Sequence, residues 1–512
     1  MRSRTGRSGS GNKGNKRRDE AGHANSRFME SLKAKTARGL FWSIIDSFGI
    51  YLVRFGFSVV IARTLAPEDY GLMGMIVIFI SLGQMIMQSG FSMALIQKKE
   101  SSETDHSTAF WFNLGTALAV YLILFFSAGS IASFFGKPIL VNITRVAALG
   151  IIVNSLCSVQ VAILSRTMDF RRLTWINLVS ALVSGITGLI LALNGFQVWA
   201  LVFQTLAGSV IYMAGLWVFS SWRPRAVFDM ASFRSLFGFG YKILLQGLTD
   251  VIFTKAYFPL IGKLYSAPQL GYYTNASRFY DIFIRQSSNS VTRVIFPAFS
   301  SVQEDPERFN RNYTKSFNML SAIMFPAALL LIIAIRPFIS LALTDKWLPA
   351  VPFMQLFFAE GFFFPLLMFN QNIILSMGRS GLSLKIDIAR KALILLSILL
   401  FFRTGIGALI AGQVTSTALI FAITSIAVVR LRKITAMEII IPLAKLALIM
   451  IMCLLLNNLV IERLSDNDWL LLLMKCTLIP AVFILLGWLF RLGSLRDIRE
   501  FVAEHKILRT GE

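Results

Sequence analysis

GYYTNASRFYDIFIRQSSNSVTRVIFPAFS, residues 271–300, is long enough to cross a bilayer and lies between strongly apolar neighbours. Yet it carries Arg278, Asp281, Arg285 and Arg293. At about 100° per residue, Arg278, Asp281, Arg285 and Asn289 fall on one helical face. At about 1.5 Å per residue, Arg285 stands roughly 20 Å from either end, near the bilayer midplane. A charge at that depth costs about 2.5–3.5 kcal/mol on insertion scales, so it must face protein, water or a ligand rather than lipid. The stretch therefore predicts a helix lining a basic cavity for an anionic cargo.

The surrounding chain sets the class. Of 512 residues, 55% are hydrophobic and 15% charged, against about 25% charged in soluble domains. The mean hydropathy of +0.65 describes a polytopic, all-α membrane protein. A net charge of +23 invites a nucleic-acid reading, but many of the basic residues lie in a tail and in short loops, where they act as topology signals. No nucleic-acid partner is expected. Cys157, Cys453 and Cys476 lie in apolar runs, and His23, His106 and His505 lie in the tail or at predicted helix ends. That distribution suggests neither a disulfide framework nor a metal or histidine site. No cofactor is expected. Residues 1–38, rich in Ser, Gly, Asn, Lys and Arg, read as a disordered basic cytoplasmic tail that holds the N-terminus inside; a lipid- or nucleic-acid-binding tail is the alternative. The first apolar run is too long for a signal peptide.

Fourteen apolar segments of spanning length are predicted, near 39–65, 70–96, 107–133, 141–165, 174–194, 197–221, 235–262, 270–301, 312–336, 350–376, 382–402, 405–430, 438–460 and 468–490. They group as an N-terminal six-helix bundle (39–221), a C-terminal six-helix bundle (235–430), two additional helices (438–490) and a cytoplasmic tail (491–512). Alternate loops carry Lys98 and Lys99; Arg166, Arg171 and Arg172; Arg223, Arg225 and Arg234; Arg308, Arg311 and Lys315; and Arg430, Arg432 and Lys433. The opposite loops hold little beyond single basic residues such as Lys137, Lys263 and Lys346. By the positive-inside rule, both termini are cytoplasmic. No loop has the size of a catalytic domain, so the chain reads as a transporter and not an enzyme.

An internal repeat is suggested by Ile61–Arg63 followed by APEDYGL (66–72), and Ile261–Lys263 followed by APQLGYY (267–273). Aligned on the Ala-Pro pair, the repeat sets Arg54 against Lys255, and Gln84 and Gln88 close to Arg285 and Asn289. Transporters built from such repeats bind substrate between them. The intramembrane acids Asp46, Asp250 and Asp281 have two readings, as buried partners of these cations or as sites of proton or sodium coupling. Glu360, Asp387, Arg390 and Lys391 read as structural. Arginine suits phosphate because its planar fork donates paired hydrogen bonds while remaining charged. Arg285, Arg54, Arg278, Lys255 and Arg293, with Gln84, Gln88 and Asn289, are thus the candidate cargo-binding set. Tyr257 and Tyr280 are candidates for stacking on sugar rings.

IARTLAPEDYGLMGM (61–75), ALIQKKE (94–100), STAFWFNL (107–114), SWRPR (221–225), IGKLYSAPQLGYYTNASR (261–278) and RVIFPAFSSVQEDPERF (293–309) occur in this order. Together they resemble the Wzx-type polysaccharide flippases, in the colanic-acid-exporter-like branch of the multidrug, oligosaccharidyl-lipid and polysaccharide exporter superfamily. The resemblance, over roughly 40–435, implies two six-helix bundles forming a V. It also implies transport of a polyprenyl-diphosphate-linked oligosaccharide across the bacterial inner membrane, with membrane lipid, a polymerase and chain-length machinery as partners. In that family, basic residues on the first and eighth helices engage the diphosphate, a placement that Arg54 and Arg278/Arg285 match by helix and depth. Two other readings are a drug or metabolite cation antiporter of the same superfamily, which would favour an acidic or neutral cavity, and a membrane enzyme.

Overall fold

Helix-start signals in the sequence fix the chain's punctuation. Ser102, Asp169, Asp229, Ser266, Asp305 and Asn467 each precede a helix and accept a hydrogen bond from a backbone N–H of its first turn, satisfying donors the helix cannot. The computed structural model describes residues 49–98, 100–167, 169–288, 295, 299–494 and 497. The tail at 1–38, Asp46, Asn289, Arg293 and most of 491–512 lie outside the described residues.

The long helices, numbered in chain order, are α1 (residues 49–64), α2 (Pro67–Gln97), α3 (Glu103–Phe135), α4 (Leu140–Arg166), α5 (Phe170–Leu193), α6 (Val198–Phe219) and α7 (Met230–Leu264). They continue as α8 (Ala267–Tyr280, running into a π-turn at Asp281–Arg285), α9 (Pro306–Leu343), α10 (Asp345–Ser376), α11 (Ser380–Phe401), α12 (Ile406–Arg432), α13 (Met437–Leu464) and α14 (Asp468–Leu489). Among the described residues there is no β-strand. Eleven of these helices are long and apolar enough to cross a membrane. The exceptions are α1, α8 and α11, which hold Arg54; Arg278, Asp281 and Arg285; and Lys385, Asp387, Arg390 and Lys391. Large apolar side chains such as Phe126, Val218 and Trp488 stand exposed on the outer faces, as lipid-facing helices require.

The centre of the molecule is the crossing of α2 and α8. α8 begins with a capping box at Ser266/Gln269, and α2 with half of one, the Ala66 N–H donating to Asp69 Oδ2 at 3.0 Å. At the crossing, a Cβ on Gly71 would run into the carbonyl of Ala267, and one on Gly271 into the carbonyl of Pro67. Each glycine thus lets its helix rest on the other's first residue, the small-residue contact typical of membrane helices. Its caps and glycines are two hundred residues apart, one less than the Ala-Pro alignment assumed. With that offset Thr254, not Lys255, is the counterpart of Arg54, and Met85, not Gln84, that of Arg285.

The free carbonyls at the end of α1 find donors beyond their own helix. Lys346 Nζ donates to the Arg63 carbonyl at 2.7 Å and Trp347 Nε1 to that of Ala62 at 2.8 Å. Lys263 Nζ donates to the carbonyl of Phe134, at the end of α3, at 2.6 Å. A second such repair joins α14 to α9. Pro337 lacks the N–H that would bond the Ile333 carbonyl, and buried Lys475 donates to that oxygen at 3.1 Å while pairing with Glu462 at 3.1 Å.

Candidate functional site

A cavity of about 760 Å³ lies between α8 and the helices α1, α4, α5 and α6. From α8 it takes Arg278, Asp281 and Arg285, the face predicted by their spacing. The helix widens at Asp281–Arg285 into a π-turn, a feature that is rare and concentrated at functional sites. From α1 come Arg54 and Ser58.

The three arginines are held differently. Arg278 Nη1 donates to Ser58 Oγ at 3.1 Å, and its guanidinium lies 5.8 Å from the centre of the Tyr70 ring. Arg285 pairs with Asp281 at 3.2 Å, 5.6 Å from the Tyr280 ring centre and 5.9 Å from that of Phe364; such faces attract cations. Arg54 is exposed on the cavity wall and has no hydrogen-bond or ion-pair partner among the described residues. Three guanidinium groups thus face one carboxylate on the cavity wall, and the unbalanced positive charge favours an anion.

Arg285 also borders a second, much smaller cavity of about 50 Å³ on the other side of α8. Its charges answer one another. Lys391 bridges Asp250 at 2.9 Å and Asp387 at 2.8 Å, and Arg390 pairs with Asp387 at 3.0 Å. Glu360, 3% exposed, accepts from Gln413 Nε2 at 3.0 Å and Thr417 Oγ1 at 2.7 Å. Asp250, read from sequence as needing a partner, finds it in Lys391 of α11.

The remaining predicted residues lie elsewhere. Gln84 and Gln88 line neither cavity, in keeping with the shifted register at the α2–α8 crossing. Lys255 lines neither either; its ammonium sits 5.3 Å from the Phe258 ring centre. Tyr280 is buried with its ring stacked on Phe357 at 5.5 Å, so no open face is left for a sugar. Tyr257 is buried too, bonded to Ser397 Oγ at 3.2 Å; it borders only the small cavity.

Sequence reasoning missed the wall opposite the arginines. There α4, α5 and α6 present Asn154; Asn177, Ser180 and Ser184; and Gln204, Thr205, Ser209 and Tyr212. The signal was available: Asn177, Ser180 and Ser184 recur at steps of three and four, as do Thr205, Ser209 and Tyr212, each a polar stripe down an otherwise apolar span.

The chain has relatives in sequence and in fold. The profile of a family described as "Polysaccharide biosynthesis protein" matches residues 60–352. The succinoglycan biosynthesis transport protein ExoT of Rhizobium meliloti (strain 1021) is 27% identical over 64% of this chain and 66% of its own length, just under two thirds. The lipopolysaccharide biosynthesis protein WzxC of Escherichia coli (strain K12) is 25% identical over 65% of this chain and 68% of its own. The teichuronic acid biosynthesis protein TuaB of Bacillus subtilis (strain 168) is 26% identical over 78% and 81%. In fold, the chain is similar to the lipid II flippase MurJ in an inward closed conformation, with a TM-score of 0.73, 15% identity, and coverage of 90% of this chain and 99% of that one. It is also similar to an inward-facing multidrug resistance MATE family transporter of the MOP superfamily, with a TM-score of 0.57, 14% identity, and coverage of 76% and 99%. With the profile spanning more than half of its length, this chain belongs to the polysaccharide biosynthesis protein family, as its resemblance to Wzx-type proteins implied.

Proposed function

We propose that this protein is a flippase. It moves a polyprenyl-diphosphate-linked oligosaccharide from the cytoplasmic to the outer face of a bacterial inner membrane, for synthesis of an extracellular or surface polysaccharide. The observation that carries this reading is the convergence of Arg54, Arg278 and Arg285, from α1 and α8, on one polar cavity with a single carboxylate. In this reading the diphosphate docks on Arg285 and Arg54, displacing Asp281 from Arg285. A phosphate offers each guanidinium a bidentate acceptor, and its charge offsets the cost of holding the cation in the membrane. The sugars occupy the cavity and the polyprenyl chain stays in lipid. No bond is made or broken.

Fourteen spans in two six-helix bundles plus a C-terminal pair, with both termini cytoplasmic, complete the proposal. Rocking of the bundles about the α2–α8 crossing would expose the site alternately to each side. Asp46, Asp250 or Asp281 would link that motion to a proton or sodium gradient, and a polymerase with its chain-length machinery would consume the product. The names of MurJ, a lipid II flippase, and of WzxC support the lipid-linked cargo. A cation antiporter would gain nothing from an excess of guanidinium groups. The test is polymer export in cells whose own flippase has been deleted. Arg285→Ala is expected to lower output at least tenfold, since a charge-assisted pair to phosphate is worth about 1.5–3 kcal/mol; full output would sink the diphosphate role.

A further inference from the structure

The large cavity has two unlike walls. Its α1–α8 side carries the arginines, whereas its α4–α6 side holds amides and hydroxyls and no charged side chain. Polar side chains facing inward from membrane helices are costly unless they meet partners. Some of these hydroxyls spend their protons on joining helices: Ser180 Oγ donates to the Gly208 carbonyl at 2.6 Å, and Ser184 Oγ to the Gln204 carbonyl at 2.8 Å. These bonds hold α5 and α6 together as one rigid surface. The side-chain amides of Asn154 and Gln204 are left over, with no partner among the described residues. Gln204 lies across Gly188, where a Cβ would come within 2.9 Å of its Cδ, so the glycine gives this amide its place.

A carboxamide presents a donor and an acceptor side by side, a match for adjacent sugar hydroxyls, which donate and accept alike. A phosphate, which only accepts, would leave the amide oxygens unpaired. We propose that the α4–α6 wall is a saccharide subsite, with Asn154 and Gln204 hydrogen-bonding an uncharged sugar attached to the diphosphate held by Arg54 and Arg285. The subsite rests on the lipid-linked cargo proposed above. It makes these two amides determinants of which glycan is accepted, since a site built to bond hydroxyls rejects a ligand lacking them.

The test is equilibrium binding to the full chain in lipid nanodiscs, with farnesyl diphosphate and with the same lipid carrying one glucose or one galactose. The wild type is expected to bind at least one hexosylated lipid about tenfold more tightly than the bare diphosphate, the scale of one or two added hydrogen bonds. Asn154→Leu combined with Gln204→Leu should erase that gain while binding the bare diphosphate within about twofold of wild type, which also reports a folded protein. Arg285→Ala should weaken every lipid alike. A wild type without hexose preference, or a double variant that keeps it, overturns the subsite and leaves the diphosphate site standing. A wild type that binds none of the lipids overturns the lipid-linked cargo, and the subsite with it.

Discussion

The two cavities flanking α8 are built from the same residue types and handle charge in opposite ways. In the small one, Lys391 lies between Asp250 and Asp387, Arg390 adds a second bond to Asp387, and Glu360 is satisfied by neutral donors. The space left over is about 50 Å³. In the large one, three arginines face one aspartate across about 760 Å³, and Arg54 has no partner at all among the described residues. Charge inside a membrane costs too much to be idle. Where it cancels locally it holds helices together; where it is left open beside a roomy polar wall, it awaits a ligand. Arg285, bordering both, connects the two regimes.

The largest expected effect breaks the cancelled side. Lys391→Met removes the cation from between two carboxylates and strands Asp250. Stranding one member of a buried pair costs about 3–5 kcal/mol, and the partial exposure of Asp250 reduces this to roughly 2 kcal/mol. Thermal unfolding in detergent should show a melting temperature several degrees lower. Adding Asp250→Asn should restore most of it, because the pair is then removed whole. A single variant as stable as wild type would dissolve the contrast between the cavities. Next in size is Arg54→Gln. No partner among the described residues is lost, so melting should move by no more than about 1 °C, while export falls roughly tenfold, the worth of one charge-assisted contact. Lost stability together with unchanged export would make Arg54 structural.

Much of this was legible in the sequence, and the limits have physical causes. Helical spacing alone placed Arg278, Asp281 and Arg285 on one wall, because three- and four-residue steps fix a face whatever the tertiary context. The helix starts were read three and six residues late, near 270 and 312, although Ser266 and Asp305 carry the capping chemistry that begins those helices at Ala267 and Pro306. What could not be read was which face of one helix meets which face of another. Asp250 finds its partner 141 residues away, on α11. The repeat was visible as a motif, yet the Ala-Pro pair set it one residue off, and on a helix one residue turns a side chain by about 100°. That slip is what set Gln84 and Gln88 beside Arg285 and Asn289 in the predicted site. The α4–α6 wall was overlooked because neutral amides and hydroxyls draw no attention in a count of charges.

Lys255 gives the smallest and sharpest test of the comparison. It is a cation within a long apolar helix, but it borders neither cavity and forms no ion pair among the described residues. Beyond an attraction to Asp281 that Arg285 opposes, its described contact is the Phe258 ring, 5.3 Å from the ammonium. A contact of that kind is worth about 0.5–1 kcal/mol at best, and removing the ammonium also relieves the desolvation it bears at that depth. The two terms oppose each other. Lys255→Met should therefore leave the melting temperature within about 2 °C of wild type and export within about twofold. A tenfold loss of export with unchanged stability would place Lys255 on the path of the cargo in a state other than this one, and would return it to the binding set that its charge and depth first suggested.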